Sequence, residues 1–366
     1  MPPSLGTALS TRDNSLNAVR LILAAAVIVA HAWPLGGYGS SQMEIVGDVA
    51  VDGFFVISGY LIAGSRMRSG LGHYLSRRAR RIFPGFWASL VAVAFVFSPL
   101  AGLINGRGWD PLAAVSFVVD NATLIITTET IGPTLSGAHA IGRWNGPLWT
   151  LAYEFGAYLL CGALLGLVWV RRHLITSAAA LTVGIPALAW WLGDLAGADG
   201  KVVTSALRFF AFFAAGMLAY ALRDRLRTST PVAIGGAALV VVLALLGEHA
   251  LNLFAPVPLA YVLLHVGATW RTRLASGDDY SYGMYVYGWP VQQILALLGV
   301  GALVPVWGFA ALSVAATIPV AMLSWRLVEG PALRAGRPRR TATVPHPESA
   351  RAQAERTAPL DHLGVR

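Results

Sequence analysis

NAVRLILAAAVIVAHAWPL, residues 17–35, is an apolar run interrupted by two residues that a bilayer disfavours, Arg20 and His31. A helix rises about 1.5 Å per residue, so a run of about twenty residues crosses the roughly 30 Å hydrocarbon layer. The stretch lacks a small-residue cleavage site of the kind that ends a secretory leader, and it carries a charge and an imidazole inside it. It therefore reads as a retained first span.

The rest of the chain has the same character. Of 366 residues, 56% are hydrophobic and 12% charged, against about 25% charged in a soluble domain; the mean hydropathy is +0.61. Apolar stretches recur near 17–35, 47–65, 83–103, 147–170, 174–194, 202–222, 231–247, 250–268, 281–300 and 303–327. Their length is that of helices rather than barrel strands. The expectation is an all-α, polytopic integral membrane protein with about ten transmembrane helices.

The net charge of +9 is accounted for by topology rather than by nucleic acid, because short cytoplasmic loops collect Lys and Arg. With the N-terminus inside, 66–82 (six arginines), 171–173 (two), 223–230 (three), 269–280 (two) and the tail from Arg334 all fall on one side. Both termini are then cytoplasmic. Segment 111–126 breaks this pattern if it crosses, so 104–146 is placed outside, with 111–126 as a re-entrant or interfacial element. Residues 1–335 are read as one membrane domain. The tail 336–366, rich in Ala, Arg, Pro and Glu, is expected to be disordered. The single cysteine, Cys161, permits no intramolecular disulfide and no cysteine metal site.

Charged groups inside a span are costly and mark a pathway or a site. Arg20 and His31 are eleven residues apart, which at about 100° per residue brings them back to one helical face, about 16 Å apart along the axis. Glu154 lies in RWNGPLWTLAYEF, two turns into the fourth span, at a depth expected to match His31. An imidazole with a carboxylate partner is a general base with a fixed tautomer; a structural ion pair is the alternative. In HYLSRRARRIFPGFW, Arg78 and Arg81 are neighbours on one face, and arginine pairs suit phosphates. In VAVDGFFVISGYLIAG, Asp48 and Asp52 are expected to face a cavity, while Ser58-Gly59 reads as a small-residue contact between helices.

Taken together, Arg20 with His31, VDGFFVISGYLI, RRARRIFP, LWTLAYE, SYGMYVYGWPV and WRLVEGP resemble, in order and over nearly all of residues 10–335, the acyltransferase 3 family of membrane O-acyltransferases. The resemblance implies His31 as the catalytic residue with Glu154 as its motif carboxylate. It implies Arg20, Arg78 and Arg81 at the acyl donor, normally acyl-coenzyme A from the cytoplasm. Asp52, Trp149 and Tyr153 are counted with the substrate-binding positions. Two departures stand out: Asn17-Ala18 where members commonly have Asp-Gly, and Gly288 where they commonly have a second histidine.

The expected function is transfer of an acyl group, acetyl being commonest in the family, from acyl-coenzyme A to a hydroxyl of a carbohydrate or lipid-linked glycan, in contact with membrane lipids. No bound cofactor and no metal are expected. The rival from another class is a transporter or flippase of a polar solute, which calls for discontinuous helices and a midplane site.

Overall fold

Leu16–Gly36 forms one unbroken helix despite Pro34 inside it. The computed structural model describes residues 2–335 apart from 11–13, 141, 194–199, 273 and 276; the tail 336–366 lies outside the described residues. In chain order, α1 (Leu5–Ser10) precedes this long helix, α2, and α3 (Glu44–Met67) follows it. Next, α4 (Leu71–Ala92) passes through a π-helical segment, Val93–Phe97, into α5 (Ser98–Asn105). The wide π turn frees a carbonyl, and the Trp109 indole donates to it at Ala94, 3.1 Å. The 66–82 arginine stretch is thus no open loop: from Leu71 onward it is the first part of a continuous 35-residue helix, Leu71–Asn105.

The short helix α6 (Pro111–Asn121) begins where Asp110 accepts from the Leu112 amide at 2.8 Å, with Pro111 supplying the preset φ of a first turn. At 11 residues it rises about 16 Å, too little to cross the hydrocarbon layer. A 3-10 turn, Gly146–Trp149, leads into α7 (Thr150–Leu164). There follow α8 (Val168–Arg172), α9 (Leu174–Gly193), α10 (Lys201–Ala221), α11 (Thr230–Leu246), α12 (Glu248–Phe254) and α13 (Pro256–Thr269). The described residues end in α14 (Ser281–Leu297), α15 (Val300–Leu303), α16 (Val306–Ser324), a π segment Trp325–Glu329 and α17 (Gly330–Ala335).

Among the described residues six helices are long and apolar enough to span, seven if α12 and α13, bent by 68°, count as one. The expected ten are not reached. Proline and glycine explain part of the difference: Gly146-Pro147 delays the start of α7, leaving it 15 residues, and the α12–α13 stretch breaks before Pro256. Helices α11 and α14 have 17 residues each. The molecule is an all-helical, multi-pass membrane protein.

At its centre α3 packs on α2 and α10, and α14 packs on α2 and α16. The α3–α10 contact is the close small-residue crossing expected at Ser58-Gly59. A Cβ on Gly59 would stand 2.0 Å from the Phe213 carbonyl oxygen, and one on Gly216 would stand 2.1 Å from that of Val56. Segment 104–146 is pinned to α14: Gln293 Nε2 donates to the carbonyls of Ala140 (2.7 Å) and Arg143 (3.0 Å), and Asn145 Nδ2 donates to that of Val286 (2.8 Å).

Candidate functional site

Two cavities lie end to end between α2, α3, α7 and α14. The wider, about 360 Å³, is lined by His31, Glu44, Asp48, Arg143, Trp149, Phe209 and Trp289 among others. His31 meets the edge of the Trp289 ring, centroids 4.9 Å apart. Two indoles, two carboxylates and a guanidinium surround the one imidazole, so the wall is mixed apolar and polar, as small-molecule sites are. The narrower cavity, about 30 Å³, is lined by Arg20, Phe54, Phe55, Leu151, Glu154, Ser281 and Tyr282. Val51, Thr150 and Tyr285 line both.

The expected His31–Glu154 pair is not formed. Glu154 lies a helical turn beyond Thr150, in the cavity that holds Arg20 rather than in that of His31. Its carboxylate accepts from Ser58 Oγ at 3.0 Å and from the Tyr158 hydroxyl. The 3-10 start of the fourth helical stretch spends residues 146–149 at the mouth, so Thr150, not Glu154, reaches the level where the cavities meet. Arg20 and His31 keep the one-face relation read from the sequence, each on its own cavity of the same helix.

Asp52 also departs from expectation. It is fully buried and accepts from Arg208 Nε (3.0 Å) and Nη2 (2.9 Å), while Asp48 (3.5 Å) and Glu248 (4.0 Å) flank the same guanidinium. It is Asp48 that faces the wide cavity. Trp149 lines that cavity as well, whereas Tyr153 packs behind it, ring centroids 5.4 Å apart, with its hydroxyl on the Val202 carbonyl at 3.4 Å.

The arginines divide into two sets. Arg20 and Arg81 both donate to one oxygen of Asp279, at 2.5 and 2.6 Å, and Arg81 lies 3.8 Å from Glu329. The π turn Trp325–Glu329 presents Glu329 there, held by Ser324 Oγ at 2.9 Å. Burial alone would raise the Asp279 carboxyl, but the Arg20 and Arg81 charges and the Ser281 hydrogen bonds outweigh it and hold the pKa at about 2. Arg78 instead lies over the Tyr158 ring, 6.0 Å from its centroid. Its neighbour Arg77 is braced by Ser65 (3.0 Å) and Ser69 (2.8 Å). Among the described residues neither has a carboxylate partner, and the Nε of each is buried without a hydrogen bond.

Sequence reading missed Arg208, Asp279 and Glu329. Arg208 carried the right signal, a lone charge inside the apolar run LRFFAFFAAG, the same criterion that selected Arg20. Asp279 lies between spans, where a carboxylate costs nothing to expose, and nothing in the local sequence distinguishes it. Gly288 abuts Ile28, whose Cγ1 would be 2.6 Å from an added Cβ, so a histidine has no room there as the helices stand.

Buried arginine–carboxylate clusters and an imidazole in a cavity inside a helical bundle define the class: a multi-pass membrane protein whose polar chemistry is enclosed by its spans. Residues 13–326 match the acyltransferase domain, and the chain belongs to the acyltransferase 3 family. It is 28% identical over 342 residues to an O-acetyl transferase of Shigella phage Sf6, covering 87% of this chain and 95% of that one. It is 27% identical to nodulation protein 10 of Rhizobium leguminosarum bv. viciae, over 89% and 94% of the two chains. A shorter match, 28% over 190 residues, covers 48% of this chain and 28% of the peptidoglycan O-acetyltransferase of Listeria monocytogenes. No solved structure matches. The chain is thus an O-acyltransferase of the membrane.

Proposed function

We propose that this protein transfers a short acyl group, acetyl, from acyl-coenzyme A to a hydroxyl of a glycan. The observation that carries this reading is the imidazole of His31 on the wall of a 360 Å³ cavity that also presents Trp149, Trp289, Glu44 and Asp48. Indole faces stack on sugar rings and carboxylates accept from sugar hydroxyls, so the wide cavity fits the acceptor. Relatives named for O-acetyl transfer, one of them to peptidoglycan, support the same acceptor class.

Arg78 and Arg77, cationic and without carboxylate partners among the described residues, suit the donor's phosphates. Arg20 and Arg81 act through their shared Asp279 to fix the entrance of the narrow cavity. That cavity, about 30 Å³, has room for about two or three water-sized groups, and a short acyl group is the donor chain proposed for it. His31 takes the proton of the acceptor hydroxyl as its oxygen attacks the thioester carbonyl. The C–O bond forms, the C–S bond breaks, and the proton passes to the departing thiolate. Glu154 acts on the donor side, as the polar anchor of the narrow cavity with Ser58 and Tyr158, rather than as the partner of His31. In this reading the Arg78 end faces the cytoplasm, and both chain ends lie there.

The test uses purified protein in detergent or nanodiscs with acetyl-coenzyme A and a cell-envelope glycan extract. Coenzyme A release and label incorporated into glycan are followed. Wild-type protein should acetylate the glycan. His31→Ala should abolish incorporation while still binding coenzyme A. Full incorporation by His31→Ala at equal abundance overturns the reading.

A further inference from the structure

Donor and acceptor can react only where their cavities meet. The residues common to both linings are Val51, Thr150 and Tyr285, and two of these three carry hydroxyls. Thr150 Oγ1 and the Tyr285 hydroxyl stand 2.6 Å apart, and both reach the Pro147 carbonyl, at 2.9 and 3.2 Å. Pro147 belongs to the 3-10 turn ahead of α7, and Tyr285 packs edge-on to Phe54, centroids 5.7 Å apart. Both side chains are buried, so their positions are set by packing before any substrate arrives.

Attack on a thioester carbonyl converts its oxygen into an oxyanion, and a low-dielectric site must meet that charge with fixed hydrogen-bond donors. The His31 imidazole is engaged with the acceptor proton in this reading; Arg20 and Arg81 are tied to Asp279, Arg208 to Asp52, and Arg143, on the wall of the wide cavity only, to Glu129 at 3.7 Å, while Arg77 and Arg78 line neither cavity. From the shared position of the two hydroxyls, we infer that the Tyr285 hydroxyl donates to the oxyanion of the tetrahedral intermediate, and that Thr150, the nearer of the two to Pro147, is the residue that positions it. This rests on the acyl-transfer reading above. Two protons serve three contacts at this junction: one hydroxyl donates to Pro147, and the other donates to its neighbour. The latter is the proton that turns to the oxyanion as the carbonyl carbon becomes tetrahedral. It returns when the C–S bond breaks. No proton is consumed in this movement, and the group transferred is unchanged.

The hydroxyls and the rings are separable by substitution. Tyr285→Phe keeps the packing and removes the proton. Thr150→Val keeps the shape and removes the hydroxyl, and Thr150→Ser keeps the hydroxyl and loses the methyl. Loss of one oxyanion donor lowers kcat about 10²–10³-fold. Tyr285→Phe should show a fall of that order with the KM values for acetyl-coenzyme A and glycan within about twofold of wild type. Thr150→Val should lose kcat in the same sense, and Thr150→Ser should recover most of it. Thermal unfolding of each variant reports the structural contribution separately. A Tyr285→Phe protein that melts lower yet keeps full kcat overturns the inference, as does Thr150→Ser behaving like Thr150→Val. Absence of acyl transfer in the wild type strikes instead at the function on which the inference rests.

Discussion

Asp52→Asn separates a carboxylate that holds the bundle from one that touches substrate. In the native protein the Asp52 carboxylate is fully buried and grips Arg208 through contacts of 2.9, 3.0 and 3.3 Å. The amide keeps the shape but leaves the guanidinium without its nearest counter-charge. Removing one partner of a buried pair costs about 3–5 kcal/mol. Asp48 at 3.5 Å and Glu248 at 4.0 Å remain beside Arg208, but they are 53% and 69% exposed, so they recover little, and about 3–4 kcal/mol is the expected loss. At about 1.4 kcal/mol per factor of ten, the folded population relative to the unfolded falls roughly a hundredfold to a thousandfold. The assay is thermal unfolding in detergent, followed by the fraction that elutes monodisperse. Asp52→Leu combined with Arg208→Met removes both charges and should recover most of the loss. If Asp52→Asn melts like wild type while the KM for glycan rises, Asp52 is a substrate ligand and its assignment to the scaffold is wrong.

Trp149→Ala should raise the glycan KM about three- to tenfold, from lost ring stacking, and leave that for acetyl-coenzyme A unchanged; equal effects on both would move Trp149 out of the acceptor cavity. Gly288→His should sharply reduce expression, because Ile28 occupies the space its Cβ needs, and Ile28→Ala in the same chain should restore folding; a stable single variant would show that α2 and α14 can separate. Asp279, held at about 2 against an ordinary 3.8, is depressed on folding. Its contribution is therefore complete above about pH 4 and lost as pH falls toward 2. Melting temperatures measured from pH 6 downward should fall more steeply for wild type than for Asp279→Asn below pH 4, and parallel curves would remove Asp279 from the ion cluster.

Much of the fold could be read from the sequence because apolar length is a property of the chain itself. The helices α2, α3, α9, α10 and α16 fall where apolar length put them. The count of ten is not confirmed at α7, which begins only after a 3-10 turn, at α12–α13, which bend before Pro256, and at α11 and α14, which lie where apolar length put them but have only 17 residues each. The site was legible in part for a related reason. Membrane cost singles out Arg20, His31 and Glu154 one by one, but pairing depends on depth, and depth depends on where each helix starts. An offset of one turn at Thr150 was enough to place Glu154 with Arg20 and Ser58 instead of with His31. Asp279 and Glu329 act on arginines some 200 residues or more away in the chain, a relation that no local pattern carries.

Where Gly59 meets the Phe213 carbonyl and Gly216 meets that of Val56, two helices touch main chain to main chain. Such a joint has no side chains to act as bearings. The pair can scissor slightly about the crossing point, but sliding along the axis drives each Cα into the opposing carbonyl. A pump that shows its cargo first to one face of the membrane and then to the other needs its central helices to shear or rock, and this joint is a rivet through the middle of the bundle. In the acyl-transfer reading proposed above, donor and acceptor then meet with α3 and α10 held in register at this crossing, and what moves is side chains and the acyl group.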